Sequence, residues 1–129
     1  MAGYKYLIVG GGMTGDAAAH GIREVDAGGS IGVIGAEPHP PYNRPPLSKG
    51  LWKGKPLESI WRDIEERGVT YHRGRTVRAL DAPNKRVTDD QGTVHTFEKL
   101  LLATGATPRR LAFGADQVIY YRTDRKSVV

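Results

Sequence analysis

Three glycines and one glutamate near the amino terminus have the residue types and the spacing of a binding site. Gly10, Gly12 and Gly15 stand in the pattern G-x-G-x-x-G, and Glu37 follows Gly15 by about twenty residues. In this pattern the first glycine permits a tight turn, the second lets a diphosphate approach the backbone, and the third lets a helix pack closely on a strand. A carboxylate about twenty residues later accepts hydrogen bonds from the ribose hydroxyls of an adenosine. Together the four residues predict a bound dinucleotide.

A strand, a helix and a second strand must position these four residues. Leu7-Ile8-Val9 is an unbroken apolar run, as expected of a short strand that is buried on both faces of a parallel sheet. Over residues 16–26, small and apolar residues recur at helical spacing, and after two glycines the run Ile31–Ile34 predicts a second buried strand. A structural glycine-rich loop would explain the glycines alone. It would not explain two strands, a helix and an acid in register.

The composition limits the classes of protein that the chain can represent. At 129 residues it is the size of one domain, and it has no apolar run long enough for a membrane span or a signal peptide, so we expect a cytoplasmic protein. It has no cysteine and four scattered histidines, so we predict no disulfide and no metal site, with the histidines solvated or capping. The net charge of +5 comes from separated basic residues without interleaved aromatic residues, which argues against nucleic-acid binding.

Five prolines stiffen the segment 37–49, which follows the predicted second strand. Because proline fixes the backbone and removes a hydrogen-bond donor, we expect a rigid extended loop and not a disordered linker. Such a loop would hold Arg44 and Lys49 beside a ligand, and Ser48 would cap a short helix that begins there. A rigid connection that carries two surface charges is the alternative.

The rest of the chain is expected to complete the sheet. Apolar residues at helical spacing predict an amphipathic helix over 56–68, and Val69–His72 predicts a third parallel strand. Alternating residues over 76–81, 85–89 and 93–97 predict a meander of three antiparallel strands. A separate apolar strand ending at Leu102 would return the chain to the parallel sheet. It runs into Ala103-Thr104-Gly105, where small residues suit backbone that passes under a ligand.

Two further segments make the resemblance to a known family specific. Residues 42–49 read Tyr-Asn-Arg-Pro-Pro-Leu-Ser-Lys, and residues 103–109 contain an Ala-Thr-Gly turn followed by Pro-Arg. With the glycine pattern, and in the same order, they resemble the FAD-dependent pyridine nucleotide oxidoreductases, in the branch of ferredoxin reductases and apoptosis-inducing-factor-like proteins. The family's disulfide reductases carry a cysteine pair, and this chain has none. The resemblance runs from residue 4 to about residue 124 and thins after Arg109.

The resemblance implies that the first Rossmann unit holds FAD. Arg44 would then lie against the cofactor, and Lys49 would act as the catalytic residue near the reactive edge of the isoalloxazine. Backbone at Val77 would meet the adenine, although a plain core position is equally consistent with the sequence. The implied FAD-binding residues are Gly10, Gly12, Met13, Thr14, Gly15, Glu37, Arg44, Pro45, Lys49, Val77, Ala103, Thr104, Gly105 and Arg109.

We therefore expect an α/β fold, namely a Rossmann-like FAD-binding half-domain with a parallel sheet and a three-stranded antiparallel meander. Residues 1–110 would form the N-terminal part of the FAD-binding domain, and residues 111–129 would begin a linker to a missing NAD(P)H-binding domain. By resemblance, the complete protein would pass electrons from NAD(P)H through FAD to an acceptor such as a ferredoxin or another iron–sulfur protein, a quinone or dioxygen. The chain alone, as a fragment or truncated gene product, would be inactive.

Two other functions stay open on the sequence. A single-domain NAD-binding dehydrogenase would explain the glycine turn and Glu37, but not the proline-rich segment or the Ala-Thr-Gly turn. A non-catalytic module that binds a nucleotide would fit the short length. An absorption spectrum separates the three functions, because only the flavoprotein requires a bound yellow chromophore.

Overall fold

The predicted strand, helix and strand form the centre of the structure, a computed structural model that describes residues 2–120 and 122 of the chain. Strand β1 (Ala2–Val9) leads into helix α1 (Met13–Val25), which leads into strand β2 (Ile31–Gly35). Most of the predicted linker from residue 111 is described, but its last residues lie outside the described part. The remaining strands are β3 (Val69–Arg73), β4 (Val77–Asp81), β5 (Arg86–Asp89) and β6 (Val94–Leu102).

The six strands form one sheet in the order β3-β2-β1-β6-β5-β4. Strand β1 lies between β2 and β6 and is parallel to both, whereas β4 and β5 are antiparallel to their neighbours. The register pairs Val9 with Ile34 on one side and with Leu102 on the other, so these three strands end at the same edge of the sheet. The predicted α/β fold with a parallel sheet and an antiparallel meander is confirmed.

One prediction about the sheet was wrong, because the third meander strand and the last parallel strand are a single strand. The amino-terminal part of β6 pairs antiparallel with β5, where Thr96 lies opposite Arg86, and parallel with β1, where Thr96 lies opposite Gly3. The carboxyl-terminal part continues along β1 to Leu102. Residues 94–102 contain no glycine or proline that would break the strand, so the change from alternating to apolar residues marks a change of neighbours and not a turn.

The apolar residues of β1 face two separate parts of the core. Ile8 packs with Ile31 and Val33 on the face that helix α1 covers through Ala19, all at most 1% exposed. Leu7 packs with Ile34 and with residues of the meander on the opposite face. Burial on both faces is therefore confirmed for this strand, and each fully buried aliphatic side chain contributes about 1.5–3 kcal/mol.

The helix predicted over 56–68 does not form. Its place is taken by two short 3-10 helices, Leu57–Ile60 and Glu65–Arg67, with extended backbone at Trp61 between them. The N–H group of Arg62 donates to the carbonyl of Pro41, a partner from the proline-rich segment that a helix would have replaced. Ile60 and Ile64 are buried as their spacing suggested, so the apolar pattern was correct and the backbone conformation was not.

A buried carboxylate joins the second of these 3-10 helices to α1. Asp16, in the first turn of α1, is 1% exposed and accepts hydrogen bonds from Arg62 at 2.5 Å and Arg67 at 2.9 Å. About two helical turns further on, Arg23 of α1 donates to the carbonyl oxygen of Arg67 at 2.7 Å. These contacts fix the segment that contains Glu65–Arg67 against the helix.

The prediction that the histidines are solvated or capping was wrong for His95 and His72. His95 is fully buried in β6, with Nε2 2.9 Å from a carboxylate oxygen of Asp89. Arg75 donates to the same oxygen at 2.8 Å. The ring of His72 meets that of His95 edge to face at 4.7 Å, and its Nε2 lies 2.6 Å from the hydroxyl of Tyr4. Burial by itself raises the pKa of Asp89, but the hydrogen bonds from His95 and Arg75 hold it well below its usual range.

This polar cluster should make the stability of the fold depend on pH. Burial, with His95 and Arg75 nearby, lowers the pKa of His72 below its usual 6.5, against the opposing charge of Asp89. Since the unfolded chain then takes up the proton more readily, the free energy of unfolding should fall as the pH drops below about 6.5. Denaturant unfolding between pH 8 and pH 5 measures this decline. It should be smaller in His72→Gln and unchanged in His20→Gln, whose side chain is 55% exposed; an equal decline in all three proteins contradicts the assignment.

The chain divides into two compact units. The first comprises the residues up to Tyr42 together with Arg62–Thr104, and it contains the whole sheet and α1. The second comprises Asn43–Trp61 together with the residues from Gly105 onward, and its described residues include the 3-10 helices Pro45–Ser48, Leu51–Lys53 and Leu57–Ile60. The predicted extended loop thus coils into two 3-10 turns between residues 45 and 53. The domain boundary predicted at residue 110 stays a prediction.

Candidate functional site

The glycine turn lies at the edge where β1, β2 and β6 end. Gly10 has a φ of +129°, which only glycine adopts readily, and a Cβ at this position would overlap with the carbonyl of Ala103. The N–H group of Gly10 donates to Ile34 at 2.8 Å, and the N–H group of Ala103 donates to Val9 at 2.8 Å. These hydrogen bonds hold the turn tightly to both neighbouring strands.

The other two glycines of the pattern have different surroundings. A Cβ at Gly15, which is buried in the first turn of α1, would overlap with the carbonyl oxygen of Gly10. Gly15 therefore permits the close approach of helix and turn. At Gly12 no atom of the described residues would lie within 4 Å of such a Cβ. The open side of the turn is thus at Gly12, immediately before α1.

The amino terminus of α1 presents hydrogen-bond donors to that open side. Gly12 is the N-cap residue and supplies no side-chain cap, and Met13 and Thr14, the first two residues of the helix, are exposed. The first N–H groups of a helix have no partner within it and carry the positive end of the helix dipole. A diphosphate fits this environment, because its oxygens accept from backbone N–H groups and need the space that a side chain would fill.

Glu37 stands two residues beyond the end of β2 and is held in place from two directions. Its backbone carbonyl accepts from Gly74 at 3.1 Å, and its carboxylate oxygen Oε2 accepts from the hydroxyl of Tyr42 at 2.7 Å. His39 Nε2 lies 3.6 Å from the same oxygen. Sequence reasoning missed Tyr42 as an orienting residue. Its position five residues after Glu37, across a proline-rich turn, is the only signal that the sequence offers.

Val77, the first residue of β4, is half-buried. Its side chain packs against Leu7, Ile34 and Val87. Two residues earlier, the N–H group of Arg75 donates to the carbonyl of Gly35 at 2.9 Å, so the chain enters β4 beside the end of β2. The Val77 side chain thus packs partly against the core, and contact of its backbone with the adenine stays a prediction.

The second unit contains the other predicted residues. Arg44 precedes the 3-10 helix Pro45–Ser48, and its Nη1 donates to the carbonyl of Arg122 at 3.0 Å. Lys49, directly after this helix, is exposed, and so is Arg109. Ser48 is the last residue of the 3-10 helix, whose N-cap residue is Arg44, so Ser48 does not cap the start of this helix. The prediction for Ser48 was therefore wrong.

The structure brings one group of predicted residues together. Gly10, Gly12, Gly15 and Ala103 surround one turn at the sheet edge, with Thr104 exposed directly after Ala103. Gly105, where the chain re-enters the second unit, has a φ of +71°. That Lys49, Arg44, Pro45, Gly105 and Arg109 contact the same ligand as the glycine turn stays a prediction.

Two kinds of feature are missing from the described part of the chain. Within residues 2–120 and 122, no group of three or more histidine, aspartate or glutamate side chains is arranged to hold a metal ion. No helix in the same residues has the length and apolar character that crossing a membrane requires.

Comparison with curated proteins finds similar chains among reductase components. The chain is 38% identical over 128 residues to the ferredoxin–NAD(+) reductase component of the p-cumate 2,3-dioxygenase system of Pseudomonas putida, an alignment that covers 92% of this chain and 31% of that protein. It is 35% identical over 111 residues to the corresponding component of the biphenyl dioxygenase system of Paraburkholderia xenovorans, covering 81% of this chain and 27% of that protein. The chain thus spans less than a third of these relatives.

Solved structures of ferredoxin reductases share the fold of this chain. The reductase in a covalent putidaredoxin reductase–putidaredoxin complex superposes with a TM-score of 0.87 at 30% identity, covering 98% of this chain and 33% of that one. A ferredoxin reductase from Rhodopseudomonas palustris superposes with a TM-score of 0.82 at 28% identity, covering 95% of this chain and 32% of that one. A sequence profile described as pyridine nucleotide-disulphide oxidoreductase matches residues 4–127. Because this profile matches nearly all residues of the chain, the chain belongs to the pyridine nucleotide-disulphide oxidoreductase family.

Proposed function

We propose that this chain is the FAD-binding segment of an NAD(P)H-dependent oxidoreductase that passes electrons to a ferredoxin or another small redox partner. The observation that carries the proposal is the sheet edge at the glycine turn. At that edge Gly10 and Gly15 lie in close contact with neighbouring backbone, whereas the side of the turn at Gly12 is open. The turn adjoins the end of β2, and Glu37, whose carboxylate is oriented by Tyr42, follows two residues after that strand. Membership of the family and the reductase names of the relatives support it.

The residues of the first unit suit the adenosine diphosphate half of FAD. Backbone N–H groups at Gly12, Met13 and Thr14 would hold the diphosphate at the amino terminus of α1. The carboxylate of Glu37 would accept from the ribose hydroxyls, and the hydroxyl of Tyr42, which donates to Oε2, would orient it. Asp16 does not repel the diphosphate strongly, because two arginines neutralise its buried carboxylate.

The flavin half would contact residues of the two later motifs, at 42–49 and 103–109. Bound FAD would supply the redox chemistry, accepting a hydride from a nicotinamide and releasing electrons to the acceptor. Arg44 and Pro45 would contact the cofactor, and the exposed ammonium of Lys49 would stabilise negative charge near the isoalloxazine. Ala103, Thr104, Gly105 and Arg109 would line the turn that closes on it.

An iron–sulfur protein is the proposed electron acceptor. Two relatives are named as ferredoxin–NAD(+) reductase components, and one structural neighbour was solved with putidaredoxin. Only one G-x-G-x-x-G pattern is present in the 129 residues. A nicotinamide would therefore bind to a second dinucleotide-binding domain of the complete protein, and the 129-residue chain by itself should not sustain turnover.

An absorption spectrum of the purified full-length natural protein, followed by NADH oxidation with ferricyanide and with a ferredoxin, tests the proposal. We expect flavin absorbance near stoichiometry, release of FAD on denaturation, and oxidation of NADH or NADPH. A colourless protein that binds NAD would favour the single-domain dehydrogenase. A colourless protein that binds a nucleotide without turnover would favour the non-catalytic module, and either result overturns the flavoprotein assignment.

Removing the carboxylate of Glu37 should weaken FAD binding. Glu37→Ala leaves the ribose hydroxyls without a charged acceptor, a hydrogen bond worth about 1.5–3 kcal/mol, so the FAD dissociation constant should rise roughly tenfold or more. Tyr42→Phe should raise it less, because the carboxylate remains but loses its orienting donor. Titration of the deflavinated protein with FAD measures both constants. Glu98→Ala, at an exposed position of β6, is the control, and an affinity of Glu37→Ala equal to that of this control removes Glu37 from the site.

Replacing Lys49 should change the reactivity of the flavin more than its binding. Lys49→Met removes an ammonium that would stabilise the reduced ring, so we expect FAD to be retained with a lower midpoint potential and slower reduction by NADH. Stopped-flow absorbance and a redox titration provide the two measurements. Lys53→Met, an exposed lysine of the neighbouring 3-10 helix, serves as the matched variant. If both variants behave like the parent, Lys49 is only a surface charge.

A further inference from the structure

The tip of the Tyr71 side chain lies between two glycines at the candidate site. Tyr71 belongs to β3, and its ring packs against the core cluster under α1. A Cβ on Gly11, in the middle of the glycine turn, would overlap with the Tyr71 hydroxyl, and so would a Cβ on Gly35 at the end of β2. The hydroxyl therefore fills the space between the glycine turn and the strand end that leads to Glu37.

This hydroxyl is buried and has no hydrogen-bond partner among the described residues. A buried polar group without a partner is uncommon in a folded protein and costs free energy. Burial, with the nearby charge of Glu37, raises the pKa of Tyr71 to about 12, against the opposing effect of Arg73. The phenol is therefore protonated at any physiological pH and can act as a donor that lacks an acceptor.

We propose that Tyr71 is a further nucleotide-binding residue, whose hydroxyl donates a hydrogen bond to the ribose–diphosphate portion of the bound cofactor. The inference rests on the proposed function, because it takes the glycine turn and Glu37 as the adenosine diphosphate site. An acceptor oxygen is what the hydroxyl lacks, and the ribose–diphosphate portion is rich in such oxygens. The hydroxyl lies directly against Gly11 and Gly35, in the glycine turn and at the strand end that would hold these oxygens.

A purely spatial role is the competing explanation, in which the side chain only packs beside the two glycines. Tyr71→Phe removes the hydroxyl and keeps the packed ring, so it separates the two roles. Removing an unpartnered buried hydroxyl should not lower the stability of the deflavinated protein. It should, however, remove a donor to the cofactor and raise the dissociation constants of both ADP and FAD roughly tenfold.

Tyr6→Phe provides a control with the opposite signature. The hydroxyl of Tyr6 donates to Asp26 at 2.8 Å, in a loop that follows the carboxyl end of α1. Its loss should reduce the stability of the deflavinated protein and leave ADP binding unchanged. Tyr71 and Tyr6 both lie in the sheet, so the comparison tests the position of the hydroxyl and not the general effect of removing one.

The experiment uses the full-length natural protein, deflavinated and titrated with ADP and with FAD by calorimetry, together with denaturant unfolding of the cofactor-free form. Weaker binding by Tyr71→Phe at undiminished stability supports the proposal. Binding of ADP and FAD equal to that of the parent overturns it and assigns the ring a spatial role. If the parent itself binds neither ADP nor FAD, the proposed function fails first, and the two failures are therefore distinguishable.

Discussion

Asp16→Asn is expected to lower the free energy of unfolding by about 3 kcal/mol, the largest stability change that we predict from a single side chain. The substitution keeps the size of the side chain but removes the charge that two arginines share. Arg62 and Arg67 would then remain partly buried, at 29% and 26% side-chain exposure, without their carboxylate. This partial exposure places the expected loss at the lower end of the range for a broken buried ion pair.

Urea unfolding of the cofactor-free protein measures this change. Glu24→Gln is the matched control, because Glu24 lies on the same helix and forms only an exposed pair with His20, for which a change within about 0.5 kcal/mol is expected. A loss of stability similar to that of the control would mean that Asp16 does not hold the 3-10 helix Glu65–Arg67 against α1.

Gly15→Ala is expected to lower stability by about 2 kcal/mol and FAD affinity by more than tenfold. The added methyl group would overlap with the carbonyl oxygen of Gly10, which is backbone and cannot rotate away. Either the helix or the turn must move, and the donors of Gly12, Met13 and Thr14 move with it. The same substitution would therefore damage both the fold and the proposed phosphate site.

The helix supplies its own control for this prediction. Gly21 lies in the same helix, where a Cβ would meet no atom of the described residues within 4 Å. Gly21→Ala should thus raise stability by about 0.5–1 kcal/mol through helix propensity and leave FAD binding unchanged. Thermal unfolding and FAD titration of both variants give the comparison. Stabilisation by Gly15→Ala would show that the close contact between helix and turn does not constrain this position.

The parts of the fold that the sequence predicted are those whose determinants are local. The buried strand at Leu7-Ile8-Val9 and the helix that follows carry their periodicity within a few residues, and the glycines at 10 and 15 meet steric demands of the turn itself. The interval to Glu37 reflects the fixed length of one strand, helix and strand unit. For the same reason, these candidate site residues lie together at one edge of the sheet.

The parts that were mispredicted depend on partners distant in sequence. The spacing of Ile60 and Ile64 was compatible with a helix, but the N–H group of Arg62 bonds to Pro41 instead. His95 carries no sign of burial in its own segment, because Asp89 becomes its partner only when β5 and β6 pair. The roles of the Tyr42 and Tyr71 hydroxyls likewise depend on contacts that form only in the tertiary structure, and their positions in the sequence give little indication of these contacts.

The long parallel pairing of β1 with β6 also has a consequence for the order of events during synthesis. Val9 pairs with Leu102, near the far end of the described chain, whereas its other neighbour, Ile34, is made early. Pairings between distant segments form slowly, since a long loop must close first. On the ribosome, β1 would therefore pair with β2 while its other edge stays open. The hydrogen bond from Ala103 to Val9, which secures the glycine turn, can form only after nearly the whole described chain has emerged.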